Sequence, residues 1–320
     1  MLRQYKLADN RLVETGNGDG AVIVFINPDE AEKRRLLDEF KIDEHTLVSA
    51  LDPDELARLE FEPDHAAMIY KRPRNYSSRD HFLFKVSSVG VFLFKGRLVI
   101  VSGEDLPLFD GRMFSRIVSL QDLVLRMIYR CIFHYLEHLK VINMITDSLE
   151  RKIGSSMGNK YLLNLFTLEK SLVFYLSSIN SNEMLIEKLR LNAAKIGFSP
   201  ESIELLDDIH VENNQCRRQA EIYSNILASL MDARASIVGN NLNMLMKTLN
   251  IITISIMVPT LVVSVFSMNV DIPFDSKTES PFGFWIIMAM ALGSMVLFVK
   301  TWTYLSERNL RISNSKHEET

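Results

Sequence analysis

Short apolar runs and polar turns alternate over the first 112 residues. The runs are rich in Val, Ile and Phe and are bounded by Gly, Pro and charged residues, as is typical of β-strands; they read VIVFIN, AAMIYKR, HFLFKV, GVFLFK and RLVIVSG. Between them, the spacing of Leu36 and Phe40 predicts a helix with Pro28 in its first turn, and HTLVSALDPDELARLE predicts another helix, broken near Pro53. Residues 1–112 are therefore predicted to form an α+β cytoplasmic domain, whose strand order stays open.

Long helical segments replace this alternation after Gly111. One helix is predicted from Ser119 to about Ser155, and a second from Tyr161 to Lys195, because these stretches are nearly free of Gly and Pro. Residues 113–198 are thus predicted to form a long helical hairpin.

A third helix is predicted over residues 199–269. Ser199 suits the N-cap and Pro200 suits the first helical position. Breakers are then absent until Gly239 and Pro259, so one helix of roughly 100 Å is expected to continue into apolar sequence. A rod of this length needs neighbours. They are either the two preceding helices of the same chain, or the equivalent helices of other subunits in a shared stalk, or both.

Two apolar runs near the C-terminus are long enough to span a bilayer. Residues 251–268 and 282–299 contain no charged side chain, and flanking residues extend both runs. The predicted order is a first span ending the third helix, a loop over residues 270–281, a second span over residues 282–305 and a basic tail over residues 306–320. The loop carries one Lys, whereas several basic residues flank the spans on their other sides: Arg217, Arg218, Arg234, Lys247, Lys300, Arg308 and Arg311. The positive-inside rule therefore predicts a multi-pass protein of the plasma (inner) membrane with both termini in the cytoplasm.

Composition excludes several other classes. The formal net charge is −4 and no basic block suggests a nucleic-acid partner. Cys131 and Cys216 lack the spacing of a disulfide framework, and the N-terminal residues lack the apolar segment of a secretory signal. The motif from His134 to His138, with Glu137, has metalloprotease spacing, but no third ligand is apparent, and these are expected to be partly exposed helix residues.

Polar and small residues recur along one face of the first span. Their steps alternate between three and four, which keeps one side of a helix toward a partner or an axis. We call this set the polar row: Asn243, Met246, Asn250, Thr253, Met257, Thr260, Ser264 and Ser267. One interpretation is a packing seam without a pore, because small and polar residues favour close helix contact in lipid. The other is the lining of a water-filled path, with apolar rings at Met246, Leu249 and Met257 that gate by dewetting.

At the end of this span the sequence resembles the CorA family of divalent-cation channels. The family motif Gly-Met-Asn is matched by Ser267, Met268 and Asn269 within VFSMNVDIPF. The MKTL segment followed by Pro259, and the spacing of Asp232, Asn240 and Asn243, also match, as does the layout of the whole chain.

The resemblance implies a funnel-shaped homopentamer in the lipid bilayer that conducts hydrated Mg²⁺, often with Co²⁺ or Ni²⁺, and needs no organic cofactor. It implies that Asn269 is the selectivity residue at the outer mouth. It also implies that Asn243, Met246, Leu249 and Met257 line the pore. The resemblance also matches Asp208 and Asp232 to positions where the family holds regulatory Mg²⁺. The alternative is that both are ordinary solvated acids on the surface of a helix. Asp271, Asp275 and Glu279 either concentrate cations at the mouth or belong to a solvated loop.

Ser267 departs from the family motif. It either narrows the mouth, restricts the turn or adds another partner for the hydration shell; the simplest expectation is that it merely replaces Gly. Two other functions stay open: a Zn²⁺-selective or efflux-type member of the family, and a non-transporting coiled-coil sensor anchored in the membrane. An enzyme is not expected.

Overall fold

A computed structural model describes residues 1–16, 20–76, 82–155, 159–268 and 282–317. The chain divides into two compact units, Met1–Asp232 and Ala233–Thr320. They are described separately below.

The first unit is built around a seven-stranded sheet formed by the described residues. The strands are β1 (Leu2–Ala8), β2 (Arg11–Glu14), β3 (Val22–Ile26), β4 (Arg58–Phe61), β5 (His65–Pro73), β6 (Val86–Phe94) and β7 (Arg97–Ser102). Their spatial order is β2-β1-β3-β7-β6-β5-β4. Only the central pair, β3 and β7, is parallel. Strands far apart in sequence therefore meet at the centre of the sheet.

One face of the sheet is covered by two short helices, α1 (Glu30–Asp38) and α2 (Glu44–Leu51). Alternate side chains such as Phe25, Ile69 and Phe92 pack against Leu36 and Leu47 in one buried cluster. This alternation follows from strand geometry, which places neighbouring residues on opposite faces.

The opposite face is covered by a long antiparallel helical pair, α3 (Leu120–Ser155) and α4 (Asn159–Leu191). The buried cluster on this side runs from strand residues such as Val24, Met68 and Val91 to Leu139 and Leu172 on the helices. The first unit is thus a three-layer arrangement in which α3 and α4 are anchored on the sheet.

A short helix, α5 (Ala193–Ile196), leads into α6 (Pro200–Phe266). Gly197 ends α5 in the left-handed conformation, with φ of 82°. The Ser199 hydroxyl accepts a hydrogen bond from the Ser202 N–H at 3.2 Å, so the predicted N-cap is confirmed. The predicted continuous helix is also confirmed: α6 has 67 residues and contains Pro259.

Within the first unit, α6 packs antiparallel to α4. Arg217 pairs with Glu183 at 3.2 Å, Arg190 pairs with Asp207 at 2.8 Å, and Asn213 Nδ2 donates to the Ile179 carbonyl at 3.3 Å. Of the two sets of neighbours expected for this helix, the structure thus contains the intramolecular one.

The second unit contains the remainder of α6 and α7 (Phe282–His317). Both helices are long and apolar enough to cross a membrane, as is α4 among the described residues. The apolar character of α4 was not predicted. It packs on the sheet through buried residues such as Leu168, Leu172 and Tyr175.

Three local predictions are wrong. The run HFLFKV was predicted to be a strand, but among its described residues only Val86 belongs to one, at the start of β6. The segment DELARLE was predicted to be helical, but Arg58–Phe61 forms β4, whose pairing with β5 buries Leu59. Pro28 was placed in the first turn of α1, but the helix is capped one residue later by Asp29, whose side chain accepts a hydrogen bond from Glu32 N at 2.8 Å.

Candidate functional site

The polar row lies on α6 in the second unit, apart from Ser267, which follows the last helical residue, and every one of its eight side chains is exposed in the single chain. Met246 is 54% exposed and Met257 is 61% exposed, although both are large and apolar. A helix with a rise of 1.5 Å per residue spreads the row over about 36 Å. The row is therefore a continuous uncovered face of one helix.

Three hydroxyl groups of the row donate their hydrogen to a carbonyl of their own helix. Thr253 Oγ1 donates to the Leu249 carbonyl at 2.8 Å, and Thr260 Oγ1 donates to the Ile256 carbonyl at 2.7 Å. Ser267 Oγ donates to the Ser264 carbonyl at 2.9 Å. The sequence analysis did not predict these bonds. The tendency of Ser and Thr hydroxyls in helices to donate to the carbonyl of the preceding turn could have indicated them.

Ser267 lies just beyond the last helical residue of α6. Its backbone N–H donates to the Ser264 carbonyl at 3.2 Å, so amide and hydroxyl share one acceptor. Its φ is not positive. A Cβ is tolerated at this position without backbone strain, which removes one objection to Ser in place of Gly.

Pro259 lies inside α6, and the helix continues through it to Phe266. Because Pro has no N–H, the carbonyl of Ser255 receives no bond from the helical ladder. The Ser255 side chain is buried and its hydroxyl donates to the Ile251 carbonyl at 2.7 Å.

The two acids matched to regulatory positions, Asp208 and Asp232, are both exposed on α6. Their separation along the helix is about 36 Å, so one ion cannot contact both carboxylates of a single chain. Burial of the Tyr129 hydroxyl raises its pKa, and the negative charges of Glu212 and Asp208 raise it further. Because Tyr129 is on α3, Asp208 lies close to that helix. Within the described ranges, no group of three or more His, Cys, Asp or Glu side chains is arranged to hold a metal.

Four predicted site residues, Asn269, Asp271, Asp275 and Glu279, lie outside the described residues. Met268 is described and is exposed.

The motif from His134 to His138 differs from expectation because both histidines are buried rather than partly exposed. Their rings are in edge-to-face contact, with 4.4 Å between the ring centroids. His138 Nδ1 lies 2.5 Å from the Tyr175 hydroxyl oxygen. Burial lowers the pKa of His134 to about 3, helped by the neighbouring His138, and burial lowers the pKa of His138 to about 4. The pair is a neutral packing element between α3 and α4.

An α/β unit followed by helices long and apolar enough to cross a bilayer defines the class of an integral membrane protein. The family model described as CorA-like Mg2+ transporter protein matches residues 22–301. The chain belongs to this family of transporters. The cobalt/magnesium transport protein CorA of Methanocaldococcus jannaschii is 24% identical over 297 residues, covering 88% of this chain and 88% of that protein.

Two full-length solved structures share the fold over nearly the whole chain, and a cytoplasmic-domain structure shares it over about three quarters. The complete structure of the Methanocaldococcus jannaschii CorA magnesium transporter has a TM-score of 0.78 at 21% identity, with 94% of this chain and 96% of that chain covered. The full-length CmaX protein has a TM-score of 0.72 at 14% identity, with the same coverage of 94% and 96%. The ZntB cytoplasmic domain from Vibrio parahaemolyticus has a TM-score of 0.57 at 13% identity, covering 74% of this chain and 98% of that chain.

Proposed function

We propose that several copies of this chain, five by resemblance to the CorA family, enclose a path for hydrated Mg²⁺, and also Co²⁺, with the polar row facing that path. The observation that carries the proposal is the row of polar and small residues within an apolar segment of α6. Exposure alone does not distinguish this row, because Leu245, Ile252 and Leu261 are also exposed in the single chain. Its members keep a heptad spacing and remain exposed beside apolar residues that suit lipid.

The chemistry of the row suits an ion that keeps its water. Mg²⁺ loses its hydration shell reluctantly, so neutral oxygens that bond to that shell are more useful than carboxylates that replace it. Asn269, at the end of the row, is the residue proposed to select the ion through its amide oxygen. Asp271, Asp275 and Glu279 would then raise the cation concentration outside the mouth.

Assembly is part of the proposal. Two spans of one chain cannot enclose a water-filled path, whereas the first spans of a homopentamer can do so with the second spans outside them. In this arrangement Met246, Leu249 and Met257 form apolar rings that stop conduction when water leaves them. Both termini are proposed to be cytoplasmic, from the distribution of Lys and Arg.

Regulation by cytoplasmic Mg²⁺ is proposed at Asp208 and Asp232. Because these carboxylates lie far apart on one helix, each requires ligands from elsewhere, and a neighbouring subunit is the proposed source. An ion held between subunits at either position would favour the closed state.

The test is ion flux into liposomes that contain the purified chain. Mg²⁺ uptake is expected for the wild type, and Asn269→Ala is expected to abolish it while leaving the oligomer intact by size-exclusion chromatography. Asn192→Ala, on the first unit, is the matched control and is expected to conduct normally. Normal flux in a correctly assembled Asn269→Ala protein would remove the selectivity role, and a dimer in detergent would favour the membrane-anchored sensor.

A further inference from the structure

We propose that the first unit binds a halide ion, chloride in ordinary salt solutions, between β5 and α3, with Arg72, Tyr70 and His134 as the hydrogen-bond donors. This site is separate from the path proposed for Mg²⁺, and it does not depend on transport. The bound anion joins the sheet to the long helix that covers it.

The three donor residues lie on facing surfaces of β5 and α3. Tyr70 and Arg72 are two residues apart on β5, so their side chains are on the same face of the sheet. Cys131 on α3 donates its thiol hydrogen to the carbonyl of Lys71, the residue between them, at 3.1 Å. His134 follows Cys131 by one helical turn, a rise of about 5 Å along α3. The helix therefore presents His134 close to the part of β5 that carries Tyr70 and Arg72.

The positive charge of Arg72 acts on both of the other donors. Burial raises the pKa of Tyr70, and the Arg72 guanidinium opposes this rise. Burial also lowers the pKa of His134, and the neighbouring His138 and Arg72 lower it further. Because such charge interactions weaken with distance, the guanidinium lies near both side chains.

Each donor residue has a buried polar atom without a hydrogen-bond partner among the described residues. These atoms are Arg72 Nε, the Tyr70 hydroxyl oxygen and His134 Nδ1. Arg72 is 3% exposed, Tyr70 is 1% exposed and His134 is 7% exposed. Buried polar groups in folded proteins nearly always have a partner, so three orphaned atoms in one part of an interface indicate a shared one.

The charge of Arg72 defines the chemistry of that partner. A guanidinium stays protonated and can only donate, and Arg72 Nη2 already donates to the Pro107 carbonyl at 2.9 Å. No carboxylate in the described part of the chain forms a salt bridge with Arg72. A buried charge without a counter-charge is strongly destabilising. Water would accept hydrogen bonds but leave the charge in place, whereas an anion accepts hydrogen bonds and also neutralises the charge.

The other two donors suit a compact monovalent ion. The Tyr70 hydroxyl donates its single hydrogen, and a neutral His134 donates from Nδ1 in one of its two tautomers, so neither group needs to change its protonation state. All three side chains are almost completely enclosed, which favours a monatomic anion over a larger one.

The experiment is thermal unfolding of the full chain in detergent, followed by circular dichroism in potassium chloride, bromide or gluconate at equal ionic strength. Chloride and bromide are expected to raise the midpoint by at least about 3 °C relative to gluconate, and the rise should grow with the logarithm of halide concentration. Arg72→Met should abolish this difference, and Tyr70→Phe should reduce it. Arg116→Met, which makes the same change at an exposed position, should keep it.

Two results would overturn the anion site. Equal midpoints in the three salts for the wild type would show that water serves the orphaned atoms. A halide effect of wild-type size in Arg72→Met would show a general action of salt. If Arg72→Met does not fold, crystals of the wild type grown in bromide decide: an anomalous scattering peak between Arg72 and His134 would support the site, and its absence would exclude it.

Discussion

Asn182 on α4 pairs with the backbone of Lys71 on β5 through both ends of its side-chain amide. Its Oδ1 accepts from the Lys71 N–H at 2.8 Å, and its Nδ2 donates to the Lys71 carbonyl at 2.7 Å. The neighbouring strand β4 pairs with β5 only as far as Ile69. Asn182, which is 1% exposed, thus takes the place of a missing strand residue and fixes the position of α4 on the sheet.

Asn182→Ala is expected to lower the free energy of unfolding by about 1–3 kcal/mol, because the buried Lys71 N–H loses its partner and the Lys71 carbonyl keeps only the weak thiol donor of Cys131. Hydrogen–deuterium exchange in detergent is the measurement, and protection of the Lys71 amide should fall first. Asn192→Ala is the control, since it removes an exposed bond to the Lys188 carbonyl. Wild-type protection in Asn182→Ala would show that the Asn182 bonds do not stabilise the Lys71 backbone.

The close approach of α2 to β6 gives a second prediction. A Cβ added at Gly90 would lie 2.5 Å from the Cβ of Ala50 and 3.2 Å from the Phe92 ring. Gly90→Ala is expected to destabilise the first unit by about 1–3 kcal/mol through overpacking. Gly103→Ala is the control, because its added Cβ has no contact closer than 3.9 Å. Thermal unfolding followed by circular dichroism would measure both, and equal midpoints would contradict the packing argument.

The buried histidines predict a pH dependence. Burial holds the pKa of His134 at about 3 and that of His138 at about 4, whereas an unfolded His titrates near 6.5. Between these pKa values the unfolded chain binds more protons than the folded chain. The contribution of the two histidines to the free energy of unfolding is therefore fully present above about pH 6.5 and is lost as the pH is lowered toward 4. The loss should approach about 1.4 kcal/mol per pH unit for each histidine.

The charged groups around the pair do not reverse this sign. Arg72 on β5 and Arg130 on α3 further lower the pKa of His134. Glu137 raises the pKa of His138, but burial lowers it by more. Urea titrations in detergent between about pH 7 and about pH 5 are the measurement. His138→Gln should flatten the dependence, and His45→Gln, at an exposed position on α2, should leave it unchanged. A flat wild-type profile would mean that the histidines are solvated.

The regulatory proposal predicts the behaviour of a charge-reversed variant. Asp208→Lys combined with Asp232→Lys should weaken closure by internal Mg²⁺, because each of the two proposed sites would lose its carboxylate. Asp147→Lys combined with Glu150→Lys makes the same charge change at exposed positions on α3 and should close normally. Flux would be measured over a series of internal Mg²⁺ concentrations. Unchanged inhibition in the α6 variant would assign both acids to ordinary solvated surface.

Local chemistry was enough to predict the helical part of the fold. Ser199 and Pro200 mark the start of α6 through side-chain and backbone preferences that do not depend on distant residues. The heptad spacing of the polar row likewise follows from the sequence, because it is a property of one helix.

Features that depend on distant partners were not predictable. The segment around Leu59 favours a helix locally but pairs with β5, and the Ala57 N–H donates to Ser181 on α4. His134 and His138 were expected to be partly exposed because histidine is polar. Tyr175 and Phe84 pack against His138, and neither contact leaves a local signal in the sequence.

The bonds between side-chain hydroxyls and carbonyls in α6 also bear on how the protein is made. In hydrocarbon an unsatisfied hydroxyl is costly, but the hydrogens of Thr253, Thr260 and Ser267 are already bonded within a single chain. These three hydroxyl hydrogens therefore need no partner from another chain when a newly synthesised copy enters the bilayer. Under the proposed assembly, insertion of each chain can come first and subunit association can follow within the membrane.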